Sequence, residues 1–255
     1  MLRKYSNTRT LSDNIKLGVL TALVAGMVNV ASFMLFFSFS SNVTGYFAIF
    51  AAEIARADYH QVTIVVGWIF LFFFGSFVSN AIVIHLNSKN MYIAHSLPII
   101  LEIVCLTTVG VYGQFFYQET LVETEILLSF MLFAMGLQNG LTASISNFAV
   151  KTTHLTGATT DLGILFSMFT KKEFRDNQEI LNKAKLILSI ACSYVIGAII
   201  SGFLYKYVQF KLFFIVSLLL VIIIAYDLYQ LKIVRYINLF RRKQEEVKIE
   251  SLVGD

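Results

Sequence analysis

Leu17–Ala52 reads LGVLTALVAGMVNVASFMLFFSFSSNVTGYFAIFAA, without one Asp, Glu, Lys, Arg or His. A bilayer-spanning helix needs roughly 20 mostly apolar residues, so this run is too long for one crossing and tight for two. The apolar run Ile126–Thr160 has the same awkward length, whereas Gln61–Ile84 and Leu186–Tyr205 each suit a single crossing. Asn90–Gln118 carries one acid, Glu102, and no Lys or Arg, and Leu212–Tyr226 is a shorter run before Asp227. The chain is 57% hydrophobic and only 14% charged, whereas a soluble domain is typically about 25% charged. Polar and apolar residues do not alternate, which excludes a β-barrel. The expected fold class is all-α, a polytopic membrane helix bundle.

The cations fall where a membrane topology needs them. Arg3, Lys4, Arg9 and Lys16 precede the first span, Lys89 follows the second, Lys171–Lys185 crowd one loop, and Lys232–Lys248 crowd the tail. The loop Phe115–Glu125 is acidic and has no Lys or Arg. The positive-inside rule then favours about six spans, near 17–37, 62–84, 94–115, 126–147, 186–206 and 211–231, with both termini cytoplasmic in the cell membrane. Arg56, Lys206 and Lys211 stand against the rule. Ser41–Ala55 and Thr153–Phe169 are left over, and are expected to be half-helices that enter the membrane and return on the same side. The basic start is not read as a cleaved signal peptide, because the apolar run far exceeds the roughly 7–15 residues of such a segment. Cys105 and Cys192 lie singly in different spans and read as packing residues rather than a disulfide or metal ligands. The net charge of +4 reflects topology, not nucleic-acid binding.

The two awkward runs resemble each other. AGMVNVASFMLFFSFSSNVTGYFAIF from Ala25 and AMGLQNGLTASISNFAVKTTHLTGATTDLGILF from Ala134 share Gly26/Gly136 and Asn29/Asn139 at one spacing. Thr44-Gly45 and Thr156-Gly157 follow with two extra residues in the second copy, and Gly75…Ser79 recurs as Gly197…Ser201. An odd number of spans per copy inserts the copies with opposite orientation. The expectation is an inverted 3+3 repeat, with residues 17–115 and 126–231 as the copies and 232–255 as a cytoplasmic tail carrying a short amphipathic helix.

AGMVN with a downstream VTG, paired with AMGLQN and a downstream TTHLTGATTDLG, is similar to the YoaK-type small permease family of multi-spanning bacterial membrane proteins. The resemblance runs from about Leu17 to Tyr229 and implies a permease without specifying its solute. Two departures stand out. That family commonly has Asp where this chain has Asn29, and Asn after the first Thr-Gly, where this chain has Tyr46. The first removes an ionisable group and weighs against a proton or cation role at that position.

Helices starting near Thr44 and Thr156 would expose unpaired N–H groups and the positive end of the helix dipole. Two such ends facing each other would suit an anionic or polar solute. The candidate substrate-binding residues are Asn29, Asn42, Thr44, Gly45, Gln138, Asn139, His154, Thr156, Gly157 and Asp161. The same groups serve equally as helix caps, interhelical hydrogen bonds and close-packing glycines. Glu102 lies mid-span and is the candidate to carry a coupling proton, or else a structural carboxylate. His60, His85, His95 and His154 show no metal-ligand spacing, and no nucleophile–base pair or phosphate cradle is visible. No cofactor, metal or enzymatic activity is therefore expected. The leading expectation is a small-solute transporter, with a channel-like facilitator next, and a scaffold or membrane enzyme behind. The lipid bilayer and a small-molecule solute are the expected partners, with a homo-oligomer left open.

Overall fold

The computed structural model describes residues 9–226, 228 and 229. Arg3, Lys4, Asp227 and the tail read above as cytoplasmic lie outside the described residues. Everything described is helix or connector. The long helices are α1 (Leu11–Phe36), α3 (Tyr59–Leu86), α4 (Met91–Phe115), α5 (Leu121–Ile145) and α8 (Gln178–Val208). Between them lie two shorter ones, α2 (Val43–Ala55) and α6 (Leu155–Met168), and a single turn, α7 (Lys172–Arg175). α9 covers residues 212–226. Five stretches are long and apolar enough to cross a bilayer, the last being Gln178–Tyr226. Gln209, at φ 43°, and a 3-10 turn at Gln209–Lys211 break that last stretch into α8 and α9. The chain is a polytopic helical membrane bundle.

Local chemistry sets the helix ends beyond the apolar cores. Thr10 and Asp13 form a reciprocal capping box at α1, and Thr120 and Glu123 repeat it at α5. Asp58, Asn90 and Asn177 cap α3, α4 and α8 through their side-chain oxygens. Such caps satisfy N–H groups that have no intrahelical acceptor. The helices consequently start several residues before the spans predicted from hydropathy. Pro98 is accommodated within α4.

Small residues set which helices touch. α1 and α8 run parallel: Ser193 donates to the Val19 carbonyl at 2.6 Å and Ser201 to that of Met27 at 2.8 Å. A Cβ at Gly26 would overlap the Tyr194 carbonyl, and one at Gly197 that of Leu23. α3 and α5 also run parallel, with Trp68 donating to the Glu125 carbonyl at 3.3 Å and Ser76 to that of Gly136 at 3.0 Å. There a Cβ at Gly136 would overlap the Phe72 carbonyl, and one at Gly75 that of Phe133. The glycine contacts correspond position by position, since adding 110 to Leu23 and Gly26 gives Phe133 and Gly136, and adding 122 to Phe72 and Gly75 gives Tyr194 and Gly197. Lipid tails offer no hydrophobic drive for helix association, so close backbone approach at small residues carries much of it. α4 and α9 pack antiparallel, through Tyr92 to the Ile224 carbonyl at 2.9 Å and Thr107 to Ser217 at 3.2 Å.

The short helices do not cross. Gly18, near the start of α1, faces Val150, just past the end of α5, and Ile190 of α8. At the other end, Phe36 of α1 packs edge-on against Tyr117, just before α5, with centroids 5.9 Å apart. α1 and α5 are therefore antiparallel. Since α3 parallels α5, the end of α1 and the start of α3 lie at one face, and α2 must leave and return there. By the same reasoning the end of α5 and the start of α8 share the opposite face, and α6 returns to it. Phe70, Phe73 and Phe77 on α3 are more than half exposed, the pattern of a helix facing lipid rather than water.

Candidate functional site

Each connector runs into the bundle and the half-helix runs back out, so α2 and α6 both begin in the interior. Asn29 holds the first connector. Its Oδ1 accepts from Ser41 at 3.0 Å and Ser40 at 3.4 Å, and its Nδ2 donates to the Tyr194 hydroxyl at 2.7 Å. Asn139 holds the second, accepting from Thr152 and Thr153, each at 3.1 Å, while its Nδ2 donates to the Met135 carbonyl at 2.8 Å. Both asparagines thus secure the connectors, and only Asn29, through Tyr194 of α8, also bridges two helices.

Both half-helix N-termini open onto one cavity of about 690 Å³. Phe72 and Tyr194, near the midpoints of α3 and α8, place it halfway along the bundle. Corresponding residues line it in pairs: Asn29 with Asn139, Ser41 with Thr153, Asn42 with His154, Thr44 with Thr156. Three further pairs are Val43 with Leu155, Phe39 with Lys151 and Phe72 with Tyr194. Asn42 caps α2 by accepting from the Gly45 N–H at 3.1 Å, whereas His154 makes no side-chain cap bond at α6.

Of the residues predicted from sequence, Asn29, Asn42, Thr44, Asn139, His154, Thr156 and Gly157 line this cavity. Gly45 and Gly157 sit where a Cβ would crowd the side chain of Asn42 or His154. Room for the N-terminal side chain folded over the first turn thus accounts for each glycine, without a ligand's approach. Gln138 does not reach the cavity. One residue before Asn139, it is rotated by about 100° around the helix, is 1% exposed, and its amide has no hydrogen-bond partner among the described residues. Asp161 does not reach it either. It lines a neighbouring cavity of about 610 Å³ and pairs with Lys183 at 3.6 Å, not with the other half of the chain. Glu102 is fully buried on α4, its carboxylate has no hydrogen-bond partner among the described residues, and it lines neither cavity.

Sequence reasoning passes over Lys151, Tyr194 and Phe39. Lys151 lies at the end of an apolar run and reads as a loop boundary, and an aromatic in a span reads as packing. Only alignment of the two connectors residue by residue pairs Lys151 with Phe39. The second cavity shares Lys151, His154 and Gly157 with the first and reaches Leu11, Asn182 and Lys183 at the face where α1 and α8 begin. Among the described residues no cluster of His, Cys, Asp and Glu could hold a metal ion.

The fold and cavity define a multi-pass helical membrane protein with two re-entrant half-helices whose N-termini meet at one recess about halfway along the bundle. The chain belongs to the family described as protein of unknown function (DUF1275), whose model matches residues 17–226. No curated protein and no solved structure matches it.

Proposed function

We propose that the protein is a YoaK-type small-solute permease of the cell membrane, taking an anionic or polar solute between the N-termini of α2 and α6. One observation carries this reading: both half-helices begin at a single interior cavity lined by corresponding residues of both halves. A scaffold has no need of such a chamber. Unpaired N–H groups and the positive helix ends suit negative or strongly polar groups, and transporters commonly place their sites where broken helices of opposed repeats meet. On this reading residues 17–115 and 126–231 are inverted copies. The face carrying Arg9, Lys16, Lys89 and the Lys171–Lys185 loop is cytoplasmic, which puts both termini there. The chain is not an enzyme, and its partners are lipid and solute.

A second reading, a channel-like facilitator, draws on Glu102. Glu102, the candidate read from sequence for a coupling proton, lines neither cavity, which favours uncoupled movement. The purified chain in proteoliposomes tests both. The permease reading requires saturable solute movement that Thr44→Trp together with Thr156→Trp blocks. Movement without saturation, unaltered by Glu102→Gln, selects the facilitator, and a folded protein that moves no solute of any class removes both.

A further inference from the structure

The cavity walls match in position and differ in charge. Lys151 is exposed and lines the cavity, and no hydrogen bond or ion pair engages it among the described residues. No Asp or Glu lines the chamber. The acid in the adjoining cavity, Asp161, is already paired with Lys183. An ammonium without a counter-charge, in a recess walled by low-dielectric protein, attracts anions and repels cations.

The opposite wall is of another kind. Where the second half has Lys151, the first has Phe39, stacked on Phe33 with centroids 4.8 Å apart and planes 7° from parallel. Phe33 corresponds to Ala143, which also lines the chamber. A stacked aromatic pair thus stands in the first half where the second half has Ala143 and Lys151. Phe72 and Tyr194 extend the aromatic surface. Inorganic phosphate or a small hydrated ion would gain nothing from three rings and lose its hydration.

Building on the permease reading, we infer that the solute is an organic anion with an apolar or aromatic body, selected by Lys151. Its carboxylate or sulfonate sits at Lys151, and its body lies against Phe39, Phe72 and Tyr194.

The test uses the full chain, with benzenesulfonate as the probe because it stays ionised and does not leak through lipid as a neutral acid. Methanesulfonate and benzyltrimethylammonium are the matched controls for body and charge. Binding is read in detergent by thermal shift and calorimetry, and flux in proteoliposomes. Benzenesulfonate should bind and cross, methanesulfonate should bind about tenfold more weakly or worse, and the cation should do neither. Lys151→Met and Lys151→Gln should each weaken benzenesulfonate binding at least about tenfold, and Lys151→Arg should restore it. Lys151 is exposed, so these variants should elute and melt like the parent. Equal binding by parent and Lys151→Met, preference for the cation, or equal binding of the two sulfonates would each overturn the inference. Binding that depends on Lys151 without flux would sink the permease reading and keep the site. Flux of the cation or of neutral erythritol, with no benzenesulfonate binding, would do the reverse, and neither binding nor flux removes both.

Discussion

The two connectors that carry the chain into the bundle do the same job with different fastenings. The first, between α1 and α2, is tied by Asn29 to Ser40 and Ser41, by the Tyr46 hydroxyl to the Phe39 carbonyl, and by Ser32 to the Ser38 carbonyl at 2.6 Å. The second, between α5 and α6, has Asn139 on Thr152 and Thr153 and the Ser146 hydroxyl accepting from the Val150 N–H at 2.9 Å. Where the first has Tyr46 the second has Ala158, and its residues Asn147, Phe148, Ala149 and Lys151 are exposed. Both connectors expose part of their length, Phe37 and Phe39 in the first as well, so the difference lies in the fastenings and in the side chains they carry. The asparagine anchor is common to both connectors, and the chemistry of their lining residues differs.

The largest expected effect asks whether the two halves are equal where backbones touch. Gly26→Leu and Gly136→Leu each force a side chain into a facing carbonyl. Rigid backbone cannot yield as a flexible side chain can, so each should cost about 3 kcal/mol or more. The check is the monodisperse fraction and melting temperature in detergent. A well-folded variant on one side only would show that α1 against α8 and α5 against α3 are not equivalent seams.

The anchors should come next, and unequally. Asn29→Ala strips Ser40, Ser41 and Tyr194 of a shared partner, whereas Asn139→Ala strips only Thr152 and Thr153, because its third bond is to its own helix. Expected losses are about 2 and about 1 kcal/mol, read from melting curves. Equal losses would mean that the Tyr194 bond adds nothing.

These anchors also mark how much the sequence disclosed. The half-helices were legible because the runs are too long for one crossing and tight for two, because full crossings would put the acidic Phe115–Glu125 loop inside, and because Thr-Gly recurs after a recurring Asn. The expected direction of insertion rests on the placement of Lys and Arg alone. The cavity wall was less so. Gln138 and Asn139 are adjacent, equally polar letters, and only helix phase sends one to the chamber and the other into the interior. Asp161 reads as a buried acid until α8 brings Lys183 beside it, and Glu102 reads as a possible relay until its distance from both cavities is seen. Lys151 acquires meaning only when the connectors fold inward together.

The helix starts offer a smaller contrast. Asn42→Ala removes a cap bond to the Gly45 N–H and should cost about 1 kcal/mol. His154 makes no cap bond, so His154→Ala should change stability by a few tenths at most while altering solute binding. If His154→Ala destabilises as much as Asn42→Ala, the ring is a structural cap and not part of the recognition surface.

The smallest effect isolates a single atom. Phe72 and Tyr194 occupy corresponding positions, so Tyr194→Phe makes the two walls alike and deletes only the hydroxyl that accepts from Asn29. Interhelical hydrogen bonds within membranes average about 0.6 kcal/mol, and the loss should be of that order. Its sharper use is in a cycle with Asn29→Ala. If the hydroxyl acts solely through Asn29, Tyr194→Phe should cost nothing in the Asn29→Ala background, and the coupling should equal the single-variant loss. A cost that persists in that background would show that the hydroxyl has another partner, and Ser41, which also hydrogen-bonds it, is the one the geometry offers.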